Sequence, residues 1–123
     1  MFCRIYVGIN IDQKILLLSI SKFLGIEPDR NAYIEKNGYS IEVRPNDEFD
    51  EKRMNTFPDG FLYFPLFVEI DIEDDINQES TAEEVGGILK FLWANKYPAI
   101  ASCDFEDLLP EKGGYKSRIV PWP

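Results

Sequence analysis

Histidine is absent from the 123 residues. That removes the commonest general base, the Ser–His and Cys–His nucleophile pairs, and the commonest zinc ligand. Basic side chains are scarce, with 13 Lys and Arg against 22 Asp and Glu, a formal net charge of −9. A phosphate-binding face needs clustered cations, so nucleic acid is set aside as a partner. Cysteine is limited to Cys3 and Cys103. This count does not suit a secreted disulfide scaffold. Both lie in apolar, strand-like stretches and read as buried reduced thiols, neighbours if the first and last strands adjoin. Long apolar runs are also missing. Ile15–Leu18 is the longest aliphatic run, far short of the ~20 residues that span a bilayer. The start, Met1–Asn10, is too short and too interrupted for a signal peptide. The expectation is a cytoplasmic protein with no membrane partner.

What is present suffices for a core: 45% of the residues are hydrophobic and 14% aromatic. Length and composition indicate a single domain, 1–123, ending in an extended tail over 112–123. Charge is unevenly distributed. Residues 1–45 carry six basic and five acidic groups, residues 46–111 four basic and 17 acidic, and residues 112–123 three basic and no acid. The acidity therefore belongs to one part of the chain.

Cys3, Ile5, Val7 and Ile9 alternate with Arg4, Tyr6 and Gly8, the period of a strand with one apolar face. Asn10 with Gln13 resembles a capping box. Ile11, Ile15, Leu16, Ile20, Phe23 and Leu24 then predict a helix over 11–24, stopped by Gly25 and Pro28. Asn37-Gly38 favours a type I′ turn. Folding there sets Lys36 opposite Tyr39, Ile34 opposite Ile41 and Ala32 opposite Val43, with Pro45 ending the second strand. Residues 61–72 alternate strictly, which predicts a long strand. Leu62, Phe64, Leu66, Val68, Ile70 and Ile72 share its apolar side, and Pro65 forces a bulge, a break or an edge position. Ser80 or Thr81 with Glu83 or Glu84 reads as a second capping box. Val85, Ile88, Leu89 and Leu92 form a helical stripe that ends near Asn95. Gly86-Gly87 inside it implies close packing on the sheet, since no Gly-rich loop leaves a strand to cradle a phosphate. Pro98 introduces a last strand, about Ala99–Cys103.

The order β-α-β-β-β-α-β predicts an α+β two-layer sandwich, a ferredoxin-like variant with two helices on one face of a mainly antiparallel sheet. The other face is then expected to lie partly open, with Tyr6, Tyr33, Phe61, Tyr63 and Phe67 as a candidate homodimer face.

From Phe67 to Leu89 there are eight acids and no Lys or Arg. A second acidic group, 104–111, follows the last strand. The candidate partner-binding residues are Glu69, Asp71, Glu73, Asp74, Asp75, Asp104, Phe105, Glu106 and Asp107. A negative patch of this kind speeds association with a basic protein. No catalytic residue and no cofactor are expected. Asp104, Glu106 and Asp107 are oxygen donors suited to a hard cation, but the alternating ligand pattern of a Ca²⁺ loop is absent, so no metal is assigned. The expected function is an acidic protein-binding module. Two other readings stay open: a structural homodimer or subunit, and a small carboxylate-based metal- or ligand-binding enzyme.

Several stretches carry a resemblance. They are Asp59-Gly60-Phe61-Leu62-Tyr63-Phe64-Pro65, the helix end Leu92-Trp93, the segment from Ala101 to Pro110, Gly113-Gly114-Tyr115 and the terminal Pro121-Trp122-Pro123. Together they look like a set of small bacterial proteins of uncharacterised function, which implies no catalytic residues. In size and acidity alone, the chain is similar to the immunity proteins that neutralise bacterial nuclease toxins.

Overall fold

The odd-numbered side chains of the first strand, Cys3, Ile5 and Val7, are all fully buried, as the period-two pattern requires. A computed structural model describes residues 2–36, 38–73 and 78–123, without the side chain of Gln78. The elements run β1 (Phe2–Val7), α1 (Gln13–Leu24), β2 (Ile34–Lys36), β3 (Tyr39–Pro45), β4 (Leu66–Ile72), α2 (Gln78–Ala94) and β5 (Ala99–Ser102). Short 3₁₀ turns occupy Arg53–Asn55, Asp59–Tyr63 and Glu106–Leu108. Asn37 of the expected turn, and Asp74 and Asp75 of the expected patch, lie outside the described residues.

The strands form one five-stranded sheet in the order β2-β3-β4-β1-β5, and every pairing is antiparallel. The fold is α+β, and the helices share one core with one sheet face. That core joins Leu16, Leu17 and Ile20 of α1 with Val85, Ile88, Leu89 and Leu92 of α2, over Cys3, Ile5, Ile41, Val68 and Ile70. Phe23 and Phe91 stack between the helices with ring centroids 4.6 Å apart. Because β4 and β5 both run antiparallel to β1 between them, they are parallel to each other, so β4-α2-β5 is a split β-α-β unit. The connection β1-α1-β2 differs, joining strands of opposite direction.

The hairpin register matches expectation at Ile34↔Ile41 and Lys36↔Tyr39. The pairing stops before Ala32, whose φ of 65° is incompatible with a strand. Helix α1 starts later than expected. Asp12, not Asn10, is the N-cap, and its carboxylate accepts from the Lys14 N–H at 2.7 Å. The buried stripe consequently shifts to Leu16, Leu17, Ile20 and Ser21, which leaves Ile15 and Phe23 exposed. Helix α2 already includes Gln78, so Ser80 and Thr81 lie within it and not at its cap. The expected partner carboxylate, Glu84, is held instead by the Lys36 ammonium and the Tyr39 hydroxyl, each at 2.6 Å.

The largest correction concerns residues 61–65, expected as the first part of the long strand. They do not extend β4, because their carbonyls are taken up locally. The Asn46 amide donates to the carbonyls of Leu62 (2.9 Å) and Phe64 (2.8 Å), and backbone N–H groups of Asn46 and Asp50 donate to Pro65 and Tyr63. Pro65 has no N–H for the ladder and marks the break. Leu62 is therefore 44% exposed, while Phe61 turns inward at 9%.

Phe61 seeds a second core on the other sheet face, with Phe64, Ile100 and Val120 buried together and Tyr6, Met54, Trp93 and Trp122 packed around them. Tyr6 meets Phe61 edge-on at 5.3 Å, and Trp122 lies 5.5 Å from Phe64. Gly8 permits this closure, since a Cβ there would stand 2.9 Å from Pro98 and 3.0 Å from the Phe64 ring. The chain's own 3₁₀ turn and terminal segment thus cover half of the face expected to be open. The expected dimer face loses its apolar content accordingly: Phe61 and Phe67 are buried, and Tyr6, Tyr33 and Tyr63 are half-buried. Among the described residues no helix is long and apolar enough to cross a membrane.

Candidate functional site

The uncovered half of the outer face lies where β1 begins. The alternation that buries Cys3 and Ile5 turns Phe2, Arg4 and Tyr6 outward. The β1/β4 register sets Arg4 opposite Glu69, and the β3/β4 register sets Glu42 opposite the same Glu69. Two carboxylates facing each other across a ladder are destabilising unless cations intervene. Arg4 approaches Glu69 at 3.4 Å, and Arg44 reaches Glu69 at 3.8 Å and Glu42 at 3.9 Å. Both cations are committed to this network. The Arg4 guanidinium also lies 4.2 Å from the centroid of the Phe67 ring and 6.0 Å from that of Phe2. Burial works against the Arg4 charge. Tyr6 and Glu69 outweigh it and hold the group more firmly protonated than usual. Glu42 pushes the Tyr33 hydroxyl above its ordinary range by charge repulsion and a hydrogen bond.

Two hollows flank Phe2, which is 54% exposed. One, of about 650 Å³, has Arg4, Tyr6, Ser102, Cys103, Asp104 and Glu106 in its wall. The other, of about 280 Å³, has Tyr33, Ser40, Glu42, Glu69 and Asp71. The result is a protruding aromatic ring with five carboxylates around it.

The two acidic segments approach each other in two separate places. Glu69 and Asp71 face Asp104 and Glu106 across Phe2. On the helical side, Glu79 and Glu83 of α2 border a hollow of about 550 Å³ with Leu108, Leu109 and Pro110. Among the described residues this hollow and the 650 Å³ one share no lining residue. Glu73 and Asp107 are exposed. Glu106 turns back to accept the Cys103 N–H at 3.0 Å. Phe105 is corrected as a contact residue. It is 3% exposed and belongs with Leu109 to the main core. Among the described residues no group of Cys, Asp and Glu could hold a metal ion.

Sequence reasoning missed Phe2 and Arg4 as part of this surface. Their signal was the alternation of β1, read only for its buried side. Comparison with protein-family models, with curated proteins and with solved structures finds no match to this chain.

Proposed function

We propose that this chain is a cytoplasmic protein-binding module that engages a basic partner through the Phe2 face. The supporting observation is the ring of Glu42, Glu69, Asp71, Asp104 and Glu106 around an exposed aromatic side chain. The two cations present, Arg4 and Arg44, are already paired within it. An aromatic anchor inside a charged rim suits a protein contact, the ring filling a pocket and the rim steering the approach. A role like that of an immunity protein fits the same chemistry, since the enzyme it would neutralise must be basic to bind nucleic acid. A relation to the ferredoxin-like architecture rests on the one split β-α-β unit, β4-α2-β5.

The test is affinity capture from native cytoplasm with three baits. They are the wild type, a face variant (Phe2→Ser, Asp71→Asn, Asp104→Asn) and a control variant (Asp47→Asn, Glu48→Gln). Wild type and control should retain the same basic protein, and the face variant should lose it. Raising salt from about 0.1 M to about 1 M, which shortens screening from about 10 Å to about 3 Å, should release it. Equal retention by face and control variants, or retention insensitive to salt, would overturn the proposal.

A further inference from the structure

The two cysteines, a hundred positions apart in sequence, come together at the edge of this sheet. The last pair of the β1/β5 ladder is Arg4↔Ser102, and although the chain bends at the next residue, Cys103, its thiol is within hydrogen-bonding reach of Cys3. Two thiols in contact need only a small adjustment to close a disulfide, whose Cα atoms lie roughly 4.4–6.8 Å apart. The thiols are free and differ in access. Cys3 is fully buried, whereas Cys103 is half-buried and stands at the wall of the 650 Å³ hollow.

We infer that Cys103 and Cys3 form a redox-active dithiol: a small hydroperoxide entering the hollow oxidises Cys103, and Cys3 resolves the product into an intramolecular disulfide. The difference in access divides the roles in this direction. A hydrogen bond from the Cys3 thiol lowers the Cys103 pKa against the cost of burial, helped by the Phe105 N–H and opposed by the charges of Glu106 and Asp104. The same thiol–thiol hydrogen bond, together with burial, keeps Cys3 protonated. The thiolate is the nucleophile, and Cys103 is the sulfur that a solute in the hollow can reach.

In the first step the Cys103 thiolate attacks the terminal oxygen of the hydroperoxide. An S–O bond forms and the O–O bond breaks. The leaving alkoxide takes a proton and departs as the alcohol (water, for hydrogen peroxide), leaving Cys103 as a sulfenic acid. In the second step the Cys3 sulfur attacks the Cys103 sulfur. An S–S bond forms and the S–O bond breaks, and hydroxide leaves with the Cys3 proton as water. Two thiols are oxidised, and the peroxide is reduced by the same two electrons.

The test uses the full reduced chain and equimolar hydrogen peroxide, followed by denaturation, alkylation of residual thiols and intact mass. The wild type should lose two hydrogens, accept no alkyl group and remain monomeric. Cys3→Ser should stop at a sulfenic acid that dimedone captures on Cys103, and Cys103→Ser should leave Cys3 unoxidised. Peptide mapping of the wild type during the reaction gives the same answer without relying on either variant, because dimedone should mark Cys103 before the disulfide accumulates. Thiols that stay alkylatable, cross-linked dimers as the sole product, or dimedone on Cys3 in place of Cys103 would each overturn the inference.

Discussion

Adjacent glycines in α2 should respond differently to the same substitution, one gaining stability and the other not. Ala is preferred over Gly inside a helix by about 1 kcal/mol, so each Gly→Ala change starts from that gain. At Gly87 the new Cβ would meet the Phe23 ring at 3.8 and 3.9 Å, near the optimum for carbon–carbon contact. Gly87→Ala should therefore stabilise by about 0.5–1 kcal/mol. At Gly86 the new Cβ would stand 2.9 Å from Pro110 Cδ and 3.3 Å from Cγ. The Pro110 ring is bonded into the backbone and cannot rotate away, and its neighbour Leu109 is anchored in the core. Overpacking of this kind costs about 1–3 kcal/mol, so Gly86→Ala should be neutral to destabilising by about 2 kcal/mol. Thermal and guanidinium unfolding of both variants measures the difference. At this chain length 1 kcal/mol moves the midpoint by roughly 3–5 °C. If Gly86→Ala stabilises as much as Gly87→Ala, the segment after β5 does not pack on α2, and the hollow between them is misassigned.

Four further outcomes are expected. Asp12→Ala should cost about 0.5–2 kcal/mol as a lost N-cap, whereas Asn10→Ala should change urea unfolding little; the reverse order would return the cap to Asn10. Ile5→Ala, on a strand bonded on both sides and fully buried, should cost about 2–5 kcal/mol, and a smaller loss in calorimetry would mean that the central core is loosely packed. Burial raises the pKa values of both Glu84 and Tyr39. In Glu84 the hydrogen bonds from Lys36 and Tyr39 outweigh it and leave the carboxyl below its ordinary 4.5, while in Tyr39 burial and the bond to Glu84 together push the hydroxyl above 10.0. The Glu84 contribution to stability is thus present above pH 4.5 and lost as pH falls through its lowered value. The Tyr39 contribution is present below pH 10.0 and lost as pH rises towards its raised value. Stability–pH curves of Glu84→Gln and Tyr39→Phe should flatten at the acid and alkaline ends respectively, and unchanged curves would exclude this pairing. Oxidation of Cys3 and Cys103 closes a loop of about 100 residues, worth about 4–5 kcal/mol on chain-entropy grounds, so the oxidised form should melt well above the reduced one, and equal melting would show that the bond strains the fold.

The local elements were readable because their signals are local. Alternation in β1 and β3, the hairpin register, the α2 stripe and the stop at Pro45 each depend on residues a few positions apart. The charge asymmetry was equally a property of the sequence. What the sequence could not decide depended on groups far away. Asp12 and Asn10 offer nearly the same cap, and the choice turns on which residues of α1 must face the sheet. Residues 61–65 alternate like a strand, but the carbonyls of Leu62 and Phe64 are claimed by Asn46, more than ten positions earlier. Phe105 reads as exposed among its acidic neighbours and is buried in the main core with Leu109. Strand order also made Arg4 and Glu69 partners and set the segment after β5 beside the start of β1, which brings Cys103 to Cys3. Composition and periodicity therefore determined the elements and the sign of the surface. Pairing between distant strands, which one chain segment cannot encode alone, decided which charges and thiols meet.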